Sequence, residues 1–175
     1  MINRWHGLFL VIFLFGGSWL WLNRVPVAVS ATARPPQPAI DYPAPAFTLT
    51  TLAGEEFDLS AVQGKPVVLN FWATWCGPCQ RELPTLQAAA ERYGDQVLIV
   101  GVDQGEAPAT VQSYVDRLGL TFAIPLDADF AVSELYNVRG LPTTFFIDRQ
   151  GIIRQMWLGE MNSITLAEGV AGILR

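Results

Sequence analysis

With 175 residues the chain can bury one domain with a short appendage, and it is too short for two ordinary domains. All 16 acids lie at or after Asp41, while Arg4, Arg24 and Arg34 precede it; 11 basic residues less those three leaves 8 against 16, a formal −8 beyond the N-terminal part. There is no basic stripe or Lys/Arg run interleaved with aromatics, so nothing points to nucleic acid, and two cysteines three positions apart rule out a multi-bridge secreted scaffold.

Residues 1–24 read as a transmembrane anchor or a signal peptide. From Trp5 to Asn23 no side chain carries a formal charge, and arginines flank the stretch. As a helix it would extend about 28 Å, close to the thickness of a hydrocarbon core. The competing signal-peptide reading rests on Arg4 as a short basic start and Ala31-Thr32-Ala33 as a small-residue cleavage pattern. Either reading exports the rest of the chain. Residues 25–45, with prolines at 26, 35, 36, 38, 43 and 45, read as a semi-rigid linker.

The folded domain is expected over 46–175. Phe47 to Thr50 alternates like an edge strand and turns at Ala53-Gly54 into a second short strand around Glu56 and Phe57. Val67 to Trp72 is a nearly continuous apolar run, the pattern of a parallel strand covered on both faces. Cys76-Gly77-Pro78-Cys79 then opens a helix marked by Leu83, Leu86, Ala90 and Tyr93, kinked at Pro84 and ending at Gly94. A strand at Val97 to Val102 and a helix through Val111, Tyr114, Val115 and Leu118, stopped by Gly119, continue the alternation. A short helix at Phe130 to Tyr136 leads to strands at Thr143 to Asp148 and Ile152 to Leu158, joined as an antiparallel hairpin. Ser163 is placed to cap a last helix, weakened by Gly169 and Gly172. The sum is an α/β domain: a central mixed sheet flanked by helices in three layers, with an N-terminal β-hairpin.

The chemistry centres on the cysteine pair. A sulfur at a strand-to-helix junction faces unsatisfied N–H groups and the positive end of the helix dipole, which favours its thiolate. In C-x-x-C motifs the first thiol falls from about 8.5 to roughly 3.5–7.5. Cys76 is therefore the nucleophile, and Cys79, one turn on and more buried, resolves the mixed disulfide. Gly77 allows a partner backbone to approach, and Pro78 removes an N–H the helix start does not need. The only histidine is His6, so no four-ligand Cys/His zinc site forms beyond the N-terminal segment, and Gln80 after Cys79 excludes the haem-attachment form of the motif. No cofactor is expected beyond a redox-active Cys76–Cys79 disulfide. Trp72 reads as core; Trp75, beside Cys76, reads as surface and as one wall of a substrate groove. Glu160, Met161 and Asn162 are weaker candidates for partner contact.

Phe71-Trp72-Ala73-Thr74-Trp75-Cys76-Gly77-Pro78-Cys79 resembles the active-site segment of the thioredoxin superfamily. Together with Phe47 to Glu82 and Tyr136-Asn137-Val138-Arg139-Gly140-Leu141-Pro142-Thr143-Thr144-Phe145-Phe146-Ile147-Asp148, it resembles the membrane-anchored TlpA/ResA-like branch over about residues 42 to 175. The resemblance implies a thioredoxin fold and an extracytoplasmic protein-disulfide oxidoreductase, held at the cytoplasmic membrane by its N-terminal segment and acting as a monomer. It also implies a disulfide-containing protein substrate such as apocytochrome c and a transmembrane DsbD- or CcdA-type electron donor. Pro142 is then the cis-proline opposite the cysteines, with Leu141 presenting backbone to the substrate. Asn70 stands where thioredoxin has a buried aspartate, and Glu82 matches a glutamate of the ResA-like branch, which makes it the expected proton acceptor or thiol-tuning group. Reduction is preferred. A DsbA-like oxidant runs the same chemistry backwards, and a peroxiredoxin-like peroxidase would need a threonine where Ala73 stands. A metal or iron-sulfur cluster shared between two chains is the reading from another class.

Overall fold

The computed structural model describes residues 34–94 and 96–175. The expected anchor or signal segment, 1–24, lies outside the described residues. A two-stranded antiparallel sheet pairs β1 (Thr48–Thr50) with β2 (Glu56–Asp58). The main sheet has the order β5-β4-β3-β6-β7, with β3 at Val67–Trp72, β4 at Leu98–Gln104, β5 at Leu126–Asp127, β6 at Thr143–Ile147 and β7 at Ile153–Leu158. β3, β4 and β5 run parallel, while β6 is antiparallel to both β3 and β7. Among the described residues four α-helices and a short 3-10 helix (Ser60–Val62) accompany them: α1 (Gly77–Tyr93), α2 (Pro108–Leu118), α3 (Ala131–Leu135) and α4 (Ser163–Ile173).

The helices do not divide evenly between the faces. Side chains alternate along a strand, so Val68 and Trp72 leave one face of β3 while Val67, Leu69 and Phe71 leave the other. Val68 and Trp72 pack with Leu83 and Leu86 of α1, Val111 and Val115 of α2, and Leu166 and Val170 of α4. The steps from β3 to β4 and from β4 to β5 go in one direction across the sheet, and parallel crossovers are right-handed, so both connecting helices must fall on one side. On the other face, Leu69 and Phe71 pack against Phe47 and Phe57 of the hairpin region and against Val132 and Tyr136 in and beyond α3. Aromatic rings fill this layer: Tyr136 lies 5.1 Å from Phe145 and 5.4 Å from Phe71 between ring centroids.

Several boundaries differ from the sequence reading for physical reasons. β4 runs two residues past Val102, because Asp103 and Gln104 keep their pairing with Leu126 and Asp127 although their side chains end the apolar pattern. That pairing also creates β5, too short to leave a pattern of its own. The last helix is capped by Asn162 rather than Ser163: the Asn162 carboxamide oxygen accepts from the amides of Ile164 and Thr165, both at 3.0 Å. Pro84 sits inside α1, which continues through it as one helix to Tyr93.

Folded structure also begins before residue 46. The amides of Asp41 and Ala44 donate to the carbonyls of Ile153 and Gly151, and Arg154 bridges Asp41 and Asp148 at 3.0 and 2.6 Å. The second half of the expected 25–45 linker is thus pinned to the outer edge of β7. The Tyr136 hydroxyl donates to the carbonyl of Pro45 at 2.7 Å and fixes the same segment from the core side.

The two glycines of α4 have opposite meanings. A Cβ on Gly169 would lie 2.2 Å from the Phe146 ring of β6, whereas one on Gly172 meets nothing within 4 Å. Gly169 lets α4 sit close to the sheet; Gly172 only weakens the helix. Gly169→Ala is expected to destabilise the domain by about 1–3 kcal/mol through overpacking, and Gly172→Ala to stabilise it by up to about 1 kcal/mol. Urea unfolding of the two variants checks the sign of each.

Candidate active site

Cys76 is the N-cap of α1, with extended backbone (φ −81°, ψ 105°), and its sulfur accepts the amide of Cys79 at 3.2 Å. The capping role normally taken by a serine or aspartate oxygen falls here to the reactive atom itself. Cys76 and Cys79 form a disulfide. Both cysteines are buried, Cys76 at 5% and Cys79 at 1% exposure, and of the two only Cys76 lines the groove beside them.

The turn before the helix is held from three sides. The Cys76 amide donates to the Ala73 carbonyl, and Gln80 reaches back to the Thr74 carbonyl at 2.6 Å. Glu106, in the loop after β4, accepts from both the amide and the hydroxyl of Thr74, at 2.5 and 2.6 Å. Sequence reading did not single out Glu106, since nothing in its local pattern says that it reaches a residue 32 positions away.

The Leu141–Pro142 peptide bond is cis, and β6 starts directly after it at Thr143, inside the sheet next to β3. Trp75, Cys76, Gly77, Pro78 and Leu141 line one open groove, so five of the expected site residues are brought together around the disulfide. Trp75 is 69% exposed, while Trp72 is fully buried, as its core reading requires.

Glu82 lies away from this groove, beneath the helix. It is 1% exposed, and Asn70 of β3 joins it to the sheet: the Asn70 amide nitrogen donates to Glu82 Oε1 at 3.4 Å and to Thr144 Oγ1 at 2.8 Å. Asn70 therefore holds the acid that α1 brings to this place. Glu82 Oε2 has no hydrogen-bond partner among the described residues. Burial pushes the Glu82 carboxyl up to about 8; the Met161 backbone pulls the other way without reaching hydrogen-bond geometry, and the charge of Glu160 adds to the rise.

In the stretch Glu160-Met161-Asn162 only Met161 is buried, and each residue has a role in the fold. Glu160 is paired with Arg81 at 2.6 Å, Met161 is buried in the core, and Asn162 is spent on the helix cap. These residues close α4 over Glu82.

Residues 40–156 match the AhpC/TSA family. The thiol-disulfide oxidoreductase ResA of Geobacillus kaustophilus is 45% identical over 124 residues, covering 70% of this chain and 71% of its own. The chain belongs to the ResA-like thiol-disulfide oxidoreductases of the AhpC/TSA family. Solved structures agree with the assignment. A secreted disulfide oxidoreductase of Mycobacterium tuberculosis, described as homologous to DsbE of E. coli, is 34% identical with a TM-score of 0.66, over 71% of this chain and 94% of that one. A thioredoxin-family thiol:disulfide interchange protein of Chlorobium tepidum covers 78% of this chain and 99% of its own at 26% identity, with a TM-score of 0.69. As a ResA-like oxidoreductase the protein takes disulfide-containing substrates.

A second buried acid lies on the same face of the sheet. Asp103 of β4 stands beside Trp72 in register, is fully buried, and has neither carboxyl oxygen paired with a donor among the described residues. Burial, with Glu106 adjoining, pushes it up to about 8.

A carboxyl held above its ordinary pKa keeps its proton in the folded chain and loses it in the unfolded one. The stabilisation that Glu82 and Asp103 contribute is therefore complete below their ordinary values, near 4.5 and 3.8, and lost as pH rises through about 8. The unfolding midpoint of the oxidised protein is expected to fall between about pH 5 and pH 9. In Glu82→Gln the decline should be shallower by several degrees, since about 1 kcal/mol moves the midpoint of a domain this size by roughly 2–4 °C. Thermal unfolding of both proteins across that range measures it.

Proposed function

We propose that the protein reduces protein disulfides outside the cytoplasm, with apocytochrome c before haem attachment as a substrate of the fitting kind. The observation that carries the reading is a disulfide whose outer sulfur caps a helix beside an open groove, while the inner one lies in the core with a protonated acid one turn further along the helix. In the reduced protein the Cys76 thiolate attacks a substrate disulfide, forming a mixed disulfide and releasing one substrate thiolate, which takes up a proton. Cys79 then loses its proton and attacks the Cys76 sulfur, which expels the second substrate thiolate and forms the Cys76–Cys79 bond. Two electrons pass from protein to substrate.

Glu82 is the acceptor for the Cys79 proton in this scheme. A base near 8 is well matched to a thiol whose ordinary pKa is about 8.5, because little driving force is lost in either direction. With Cys76 and Cys79 joined, Glu82 holds that proton. Trp75, Gly77, Pro78, Leu141 and Pro142 form the substrate face, with the backbone at the cis bond offered to an extended segment.

An N-terminal membrane anchor, a transmembrane donor of the DsbD or CcdA type, and action as a monomer complete the proposal. The ResA names of the relatives and the description of the Mycobacterium tuberculosis protein as secreted support an extracytoplasmic site. No helix among the described residues is long and apolar enough to cross a membrane. Against a peroxidase, Ala73 is buried and carries no hydroxyl to orient a peroxide.

Equilibrating the purified protein with glutathione buffers and counting free thiols measures direction. A potential near thioredoxin's, about −270 mV, is expected; one near the strong oxidant's, about −120 mV, reverses the assignment. In cells, Cys79→Ala should accumulate a mixed disulfide on Cys76 that mass spectrometry identifies; recovery of haem-free cytochrome c is the expected outcome.

A further inference from the structure

The groove beside Cys76 has a second aromatic wall that disulfide exchange itself does not use. Phe130 is 45% exposed and lines the groove together with Trp75, Val138 and Leu141. Its backbone is left-handed (φ 63°, ψ 11°), a conformation in which a bulky side chain is disfavoured and glycine or asparagine is at ease.

The surrounding structure holds the ring there. Buried Asp127 accepts from the amides of Val132 and Ser133 at 3.0 and 2.7 Å and from the Ser133 hydroxyl at 2.5 Å, while the Asp127 carbonyl accepts the Phe130 amide at 3.2 Å. Gln104 at the end of β4 donates to the same Ser133 hydroxyl. The ring rests on Gly105, where an added Cβ would lie 2.2 Å from it, and Gly105 itself has φ +71°. Two adjoining turns are thus shaped to hold one exposed phenyl ring at the mouth of the groove. Strain that a fold over-determines in this way points to a use for the strained residue.

We infer that Phe130 is a specificity-determining residue: across the groove from Cys76 it receives an aromatic or large aliphatic side chain that flanks the disulfide-bonded cysteine of a polypeptide substrate. This rests on the disulfide-reductase reading and adds the substrate's local chemistry to it. The occupant is a polypeptide segment because the open groove is lined both by Cys76 of the disulfide and by Leu141 of the cis bond. An apolar neighbour suits it because Phe130, Trp75, Pro78, Val138 and Leu141 offer ring and aliphatic surface, and the charged groups at hand, Glu134 and Arg139, are of opposite sign.

The test uses two disulfide-bonded peptides of equal length and charge, one with phenylalanine and one with serine beside the cysteine, reduced by the full chain whose own disulfide a small dithiol reopens after each turnover, with the rate of the dithiol alone subtracted. The wild type should show a kcat/KM for the phenylalanine peptide about 2- to 10-fold above the serine peptide, the range an aromatic contact supports. The difference should lie mostly in KM. Phe130→Gly, which suits the left-handed turn, should bring the ratio to about one with its thermal midpoint unchanged or raised; Phe130→Leu should keep most of the preference. Equal rates for the two peptides in the wild type, or an unchanged ratio in Phe130→Gly, overturn the inference while leaving the reductase reading intact. Failure of the wild type to reduce either peptide overturns both.

Discussion

The hydrogen bond from the Cys79 amide to the Cys76 sulfur requires the chain to leave β3 and enter α1 at the first cysteine, and much of the neighbouring structure fixes that turn. Glu106 grips Thr74 with both carboxylate oxygens, Gln80 closes the first helical turn back onto the Thr74 carbonyl, and Trp72 anchors the strand end in the core. The place itself comes from topology. The sheet is laid down in one direction from β3 through β5 and then resumes on the other side of β3 with β6, so β3 is the strand where the order reverses. At the carboxyl end of such a strand the neighbouring connections diverge and leave a crevice. The disulfide stands in it, with the cis bond ahead of β6 on one side and the loop after β4 on the other.

Proton supply is organised separately from sulfur exposure. Cys76 lies at the groove, but the groups that hold protons near neutral pH lie beneath it: Glu82 under α1 and Asp103 under the turn. Burying a carboxyl disfavours its charged form, and each oxygen left without a donor deepens the effect. Both acids project from elements that converge on the strand-to-helix junction. Because thiol-disulfide exchange moves protons with electrons, an acid screened from solvent and poised near a thiol's own pKa can take the proton without opening the site to water. The same burial makes stability fall toward alkaline pH, so the proposed proton acceptor and a stability cost have one cause.

Legibility in the sequence followed the reach of each interaction. β3 is readable to the residue, because six consecutive buried positions leave a run that is apolar except at Asn70. The helix after it was readable because proline near its start and glycine at its end are local signals. The cap of α4 was misplaced by one residue, since serine and asparagine both qualify and only the geometry selects Asn162. Docking of residues 41–44 onto the β7 edge leaves little signal in the sequence, because most of its hydrogen bonds run through backbone, and a proline-rich composition says nothing about backbone partners. Asn70 was visible only as a missing aspartate, whereas its work is to steady Glu82 from across the helix-sheet interface. Asp103 lies just past Val102, where the apolar pattern stops, so nothing local marks it as a buried acid.

Unequal coverage of the sheet decides from which side a polypeptide can reach the disulfide. Three long helices share one face and seal it, including the side of α1 that carries Cys79 and Glu82. The opposite face is covered by the small hairpin, aromatic side chains and the five-residue α3, and the groove opens at its upper end, between Gln104, Ser133 and the cysteine turn. A helix that short cannot be stable through its own hydrogen bonds; buried Asp127 holds its first turn through side-chain bonds instead. The arrangement leaves Cys76 at the boundary between a sealed face and an open one, which is what the proposed attack through Cys76, with Cys79 held in the core, requires.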